Sequence, residues 1–153
     1  MNPSLVGSEM CIRDSIMRVK VSRKAHFNAA HRLHNSAWNA EKNREVFGKC
    51  NNENGHGHNY EVIAHVTGQI DPESGYVMDM KDLKSFMVEE IEDRYDHKNL
   101  NLDVPEFASL NPTAENMVVI IWQRLRRRID PKHELIVTLY ETERNYVEYN
   151  GDE

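Results

Sequence analysis

Lys49-Cys50-Asn51-Asn52-Glu53-Asn54-Gly55-His56-Gly57-His58-Asn59-Tyr60 runs straight into a strand-like segment, Glu61 to Thr67. In extended backbone, residues i and i+2 point to the same face. His56 and His58 therefore aim two imidazoles at one point, and Gly57 between them lets the backbone come close. Imidazole pairs of this kind suit Zn²⁺. Cys50 stands just upstream, and more histidines, His26, His31 and His34, lie before it. The stretch reads as a turn-rich lead into a strand, with a metal pair at the strand's start.

Around it, the chain has room for one domain. Its 153 residues fit a single core. With 39% hydrophobic and 29% charged residues the composition is globular. A net charge of −6 argues against a nucleic-acid binder, while leaving space for a local basic pocket. No apolar run reaches transmembrane length, and none near the start resembles a signal-peptide core. Two cysteines, Cys11 and Cys50, make no disulfide framework, so a reduced, cytoplasmic protein is the expectation. Residues 1–16 show no period and read as a disordered or non-native extension, with the domain running over 17–153. Cys11 falls in the extension and is given no role.

In chain order, Arg18 to Phe27 alternates polar and apolar residues and predicts a first strand, which Asn28 to Leu33 continues or bends away from. Ala40 to Phe47 predicts a short helix stopped by Gly48. A second strand follows over about His58 to Thr67, then a wide loop and a short third strand, Tyr76 to Met78. Asp79 is a good N-cap. Met80, Leu83, Phe86, Met87, Ile91 and Tyr95 form a helical stripe after it. Thr113 caps a second helix whose buried face is Met117, Val118, Ile121, Trp122, Leu125 and Ile129. Leu135 to Tyr140 is a strong strand, and Tyr146 to Tyr149 a last one. This order predicts an α+β fold, an antiparallel sheet with two helices packed on one face.

Catalytic zinc takes three protein ligands and leaves one position open. His56 and His58 supply two, and spacing leaves His26, His31 and His34 as candidates for the third. A thiol beside a metal and a histidine is a usable general base. Asp96-His97 sits at a helix end, where catalytic groups often project. Adjacent side chains do not ordinarily hydrogen-bond to each other, so the pair also reads as a plain helix terminus. Glu141, ending the strongest strand, can accept two hydrogen bonds from an amidine-like edge of a heterocycle. Thr113 and Glu115 read equally as a cap and its dipole partner. Arg124, Arg126, Arg127 and Arg128 read as a solvated helix face.

Six segments together resemble the 6-pyruvoyl-tetrahydropterin synthase family: Phe27 to Leu33 (FNAAHRL), Phe47 to Tyr60 (FGKCNNENGHGHNY), Asp71 to Asp79 (DPESGYVMD), Asp96 to Leu102 (DHKNLNL), Thr113 to Asn116 (TAEN) and Tyr140-Glu141-Thr142. The likeness runs from about Arg18 to the C-terminus. It implies zinc on His31, His56 and His58. It also implies Cys50 as general base and Asp96 with His97 as proton relay. Glu141 would anchor a pterin ring, helped by Thr113 and Glu115. The family fold it implies is the tunnelling fold, in which three subunits close their sheets into a barrel. Two such trimers stack into a homohexamer with active sites between subunits. The implied reaction converts 7,8-dihydroneopterin triphosphate to 6-pyruvoyl-tetrahydropterin in tetrahydrobiopterin biosynthesis. It eliminates triphosphate and uses Zn²⁺, with room for Mg²⁺. No membrane or nucleic-acid partner is implied. The alternatives are the related 6-carboxy-tetrahydropterin synthases of 7-deazapurine biosynthesis, a non-catalytic zinc- and pterin-binding assembly protein, and a three-histidine zinc hydrolase with no need of Cys50.

Overall fold

The computed structural model describes residues 17–152, so the expected extension and Cys11 lie outside it. Strand β1 (Arg18–His31) is a single long strand that includes the stretch expected either to continue or to bend. Its alternation is the cause. Ala25, Phe27, Ala29 and His31 are buried while Lys24, His26 and Asn28 are exposed, the period of two that a half-buried strand needs. Strand β2 (His56–Gln69) pairs antiparallel with it, Phe27 opposite Tyr60, Ala29 opposite His58 and His31 opposite His56. The stacked rings of Phe27 and Tyr60, 4.8 Å apart, begin the core.

Helix α1 (Ala40–Phe47) matches its expected span, capped by Asn39 and ended by Gly48. Helix α2 (Met80–Met87) starts at the predicted cap, Asp79, whose side chain accepts from the Lys81 amide. It runs on through a π-helical turn, Val88–Glu92, to a last α turn, Asp93–Tyr95. Leu83, Met87, Ile91 and Tyr95 are all essentially inaccessible. Steps of four residues drift round an α-helix of 3.6 residues per turn. The wider π turn takes that drift back and keeps all four side chains on the core.

Helix α3 (Ala114–Arg126) is capped by Thr113 and buries Met117, Val118, Ile121 and Leu125. Strand β3 (Lys98–Asn99) lies parallel to β1 at Ala29 and Ala30. Strand β4 (Glu134–Tyr140) pairs with β2, and β5 (Tyr146–Tyr149) with β4. The sheet order is β3-β1-β2-β4-β5, and the long helices cover one face.

Three expectations change. Tyr76 to Met78 is not a strand. The loop closes on itself instead, the Asp71 amide donating to the Tyr76 carbonyl and the Gly75 amide to the Asp71 carbonyl, both at 2.8 Å. β3 is an element that two residues of sequence did not announce. The arginine cluster is only partly solvated. Arg124 lies 3.0 Å from Glu90 and 2.9 Å from Glu106, Arg128 pairs with Glu89 and Glu90, and Arg126 donates to the carbonyls of Ile129, Asp130 and His133.

Candidate metal centre and its cavity

The apolar face of the sheet ends in imidazole. His31 closes β1 and His56 and His58 open β2, all on the face that carries Phe27 and Tyr60. The strand period selects His31 from the three candidates. His26 has the opposite parity and is exposed, and His34 lies beyond the strand's end. One nitrogen from each of His31, His56 and His58 can be chosen so that all three lie within 4.8 Å of one another, and Nε2 of His31 is 3.0 Å from Nε2 of His56.

These residues fit a metal. His31 Nδ1 lies 2.7 Å from the Pro112 carbonyl oxygen, to which it donates. A neutral imidazole that donates from Nδ1 keeps a lone pair on Nε2, where the other two rings meet. His56 Nδ1 and His58 Nε2 are buried with no hydrogen-bond partner among the described residues. Burial pulls the His31 pKa down to about 4, and burial likewise lowers that of His58. Unprotonated imidazole is the form that binds a metal.

Local backbone makes this approach workable. Gly55 has φ +77, and a Cβ there would come within 3.0 Å of the His31 carbonyl oxygen. Gly48, at φ +56, turns the chain out of α1 into a 3₁₀ turn, Gly48–Asn51, which carries Cys50. Cys50, a free thiol, shares a cavity of about 700 Å³ with His56 and His58. Glu141 reaches the same region, Oε1 3.9 Å from His58 Nε2. Tyr60, whose hydroxyl is 3.3 Å from His31 Nδ1, lies beneath the triad, and burial holds its phenol well above the usual range.

Asp96 and His97 do bond to each other, against the expectation for neighbours. His97 adopts a left-handed backbone, φ +61, and its Nδ1 lies 2.9 Å from Asp96 Oδ2. The Asn28 amide donates to Asp96 Oδ1 at 2.9 Å, and the His97 amide donates to the Asn28 carbonyl at 2.6 Å. The Asn28 amide, and after it His97, hold the Asp96 carboxyl below its ordinary pKa. His97 lines a second cavity, with Gly57, His58, Asn59 and Lys98; Cys50 does not line it, and His58 borders both cavities. Thr113 accepts from the Asn116 amide as the cap of α3, and Glu115 is exposed in its first turn. They adjoin the triad through Pro112. The Pro112 carbonyl, Tyr60 and Asn51 went unsingled in the sequence. No residue type marks a carbonyl that orients an imidazole.

Residues 20–152 match the protein family described as 6-pyruvoyl tetrahydropterin synthase. A 6-pyruvoyl tetrahydrobiopterin synthase of Homo sapiens is 47% identical over 135 residues, covering 88% of this chain and 93% of the human one. The solved 6-pyruvoyl tetrahydropterin synthase of Caenorhabditis elegans superposes with a TM-score of 0.84 at 38% identity, over 89% of this chain and 97% of that one. A dihydroneopterin monophosphate aldolase of Pyrococcus furiosus is 31% identical over 113 residues, 74% of this chain and 80% of its own. With the fold, the histidine triad and these likenesses in agreement, the chain belongs to the 6-pyruvoyl tetrahydropterin synthase family.

Proposed function

We propose that the chain is a zinc-dependent lyase converting 7,8-dihydroneopterin triphosphate to 6-pyruvoyl-tetrahydropterin with release of triphosphate. The observation that carries this is a free thiol sharing one cavity with two imidazoles of a three-histidine cluster. His31, His56 and His58 would hold Zn²⁺, which when bound polarises the substrate's side-chain oxygens and acidifies the C–H bonds beside them. Cys50 takes the proton from carbon. His97, oriented by Asp96, returns one. Glu141 receives hydrogen bonds from the amidine-like edge of the pterin, with Thr113 and Glu115 beside it. The electrons shift within the substrate, so no redox cofactor enters.

Cys50 and His97 line two cavities that share His58, and neither cavity holds both residues, which supports a site completed between subunits. In this reading three sheets close into a barrel, two trimers form a hexamer, and Asp96-His97 of one subunit meets Cys50 of the next. No helix among the described residues is long and apolar enough to cross a membrane. We place the enzyme in the cytoplasm, acting in tetrahydrobiopterin biosynthesis.

The test is mass-spectrometric identification of the product from 7,8-dihydroneopterin triphosphate and zinc-loaded protein, with and without Mg²⁺. The pyruvoyl product with free triphosphate is expected. Acetaldehyde with a 6-carboxy product would overturn the assignment.

A further inference from the structure

Asn51 follows Cys50 and is 9% exposed. Its backbone carbonyl accepts from Arg32 Nε at 2.9 Å. Its side-chain amide donates to the Leu33 carbonyl at 2.9 Å and lies 3.0 Å from His34 Nδ1. An amide nitrogen only donates, so His34 Nδ1 accepts and the neutral ring keeps its proton on Nε2. Asn101 ties the Arg32 backbone on both sides, accepting from its amide at 2.7 Å and donating to its carbonyl at 3.0 Å. The His34 amide donates to Asn111 Oδ1 at 3.2 Å. Arg32 and His34 are thus fixed as hydrogen-bond donors.

Both line the cavity of Cys50, His56 and His58, as do Arg44 of α1 and Lys49 of the turn after it. Glu53 is the only carboxylate among the residues lining it. Three permanent cations and an imidazole donor therefore face one acidic group, in a chain whose net charge is −6. None of Arg32, Arg44 and Lys49 is in an ion pair among the described residues. Cations gathered unpaired around a concave wall are a seat for an anion. Arg32 and His34 also line a polar cavity of about 780 Å³ beside Asn99, Asn101 and Asn111, which leaves room for an extended one.

We propose that Arg32, His34, Arg44 and Lys49 bind the triphosphate of the substrate, with Asn51 as the positioning residue for Arg32 and His34. The inference rests on the reading above of a pterin triphosphate substrate, and names the part of the site that takes its charged end. The guanidinium fork matches phosphate oxygens. Negative charge grows on the triphosphate as its C–O bond breaks, so the same donors assist its departure.

Calorimetric titration of the zinc-loaded protein with inorganic tripolyphosphate tests this apart from turnover. Arg44→Ala and Lys49→Ala change exposed side chains and leave the fold intact. Each should weaken tripolyphosphate binding and raise the KM for the triphosphorylated substrate about 10-fold, the weight of one charge-assisted contact. Zinc content and the affinity for unphosphorylated 7,8-dihydroneopterin should stay constant. Asn51→Ala removes the side-chain amide that holds His34 but keeps the carbonyl that receives Arg32, and should weaken tripolyphosphate binding in the same sense. Absent binding, or binding by both variants equal to wild type, overturns the seat. Tripolyphosphate binding that depends on these residues, without pyruvoyl product, keeps the seat and removes the reaction. Turnover with KM unchanged in both variants does the reverse.

Discussion

A thiol beside three imidazoles could close a tetrahedral metal site or stay apart from it. The hydrogen bonding argues for separation. His31 is already oriented by the Pro112 carbonyl, and the unpartnered nitrogens nearby belong to His56 and His58. Three histidines form the cluster of possible ligands, and Cys50 is not in it. Cys50→Ala should therefore keep stoichiometric zinc, measured by atomic emission, while turnover falls by about 10²- to 10⁴-fold, the usual share of a general base. Loss of metal in that variant would make the thiol a ligand and sink the assignment. His56→Ala should lose zinc and activity together. Stoichiometric metal in it would refute the triad. The histidine pair was legible because a strand's period of two is written into His56-Gly57-His58. The third histidine of the cluster could not be chosen from spacing, because the choice depends on which face of β1 is buried. The role of Pro112 was invisible, since any residue offers the same carbonyl.

At the scale of elements, β1, β2, β4 and β5 and the two long helices were readable from alternation, caps and stripes. What failed was what depends on a distant neighbour. Tyr76 to Met78 has strand-like residues but hydrogen-bonds within its own loop and to His133, and Lys98–Asn99 is a strand only because Ala29 and Ala30 offer it an edge. That loop is also wedged against the sheet by His133, which is 7% exposed. A Cβ on Gly68 would come 2.5 Å from His133 Cδ2 and 3.2 Å from Val77 Cγ1. Gly68→Ala should destabilise the protein by about 1–3 kcal/mol, the cost of overpacking, and an unchanged melting temperature would show the wedge to be loose. The same region sets a pH dependence. Burial first, then Lys132, lowers the His133 pKa from its ordinary 6.5. On the open face of the sheet, burial and then Lys20 lower that of His65, whose ring joins Ser22 to Thr138 at 2.8 and 3.1 Å. The unfolded chain therefore takes up these protons at higher pH than the folded one. Their contribution to stability is whole above about pH 6.5 and is lost as pH falls toward the lowered values. The melting temperature should drop between about pH 7 and pH 5, and His65→Gln should make that drop shallower. An equal slope in the variant would remove His65 from the account.

Among the described residues the sheet is open at both sides: β3 covers β1 only at Ala29 and Ala30, and β5 pairs only with β4. Val19 and Tyr146, on these two edge strands, are 42% and 60% exposed. Long uncovered edges invite pairing with another copy, and a head-to-tail contact that closes makes a ring. The face opposite the helices is polar, carrying Lys24, His26, His65 and Glu148, and suits the inside of such a ring better than a second hydrophobic layer. The functional residues divide in the same way. Cys50 lines one cavity with His56 and His58, whereas His97 lines another that reaches His58 but not Cys50. Sedimentation equilibrium should therefore give a mass near six times the 17.9 kDa of one chain. Val19→Lys, which sets a charge on the free edge of β1, should shift that mass toward the single chain. In the dissociated variant zinc should remain, because all three ligands lie within one subunit. If the proposed shared site holds, turnover should collapse, because Cys50 would lose a relay supplied by its neighbour. Full activity at the mass of one chain would mean that Cys50 works without His97 of another subunit, and the shared site would have to be abandoned.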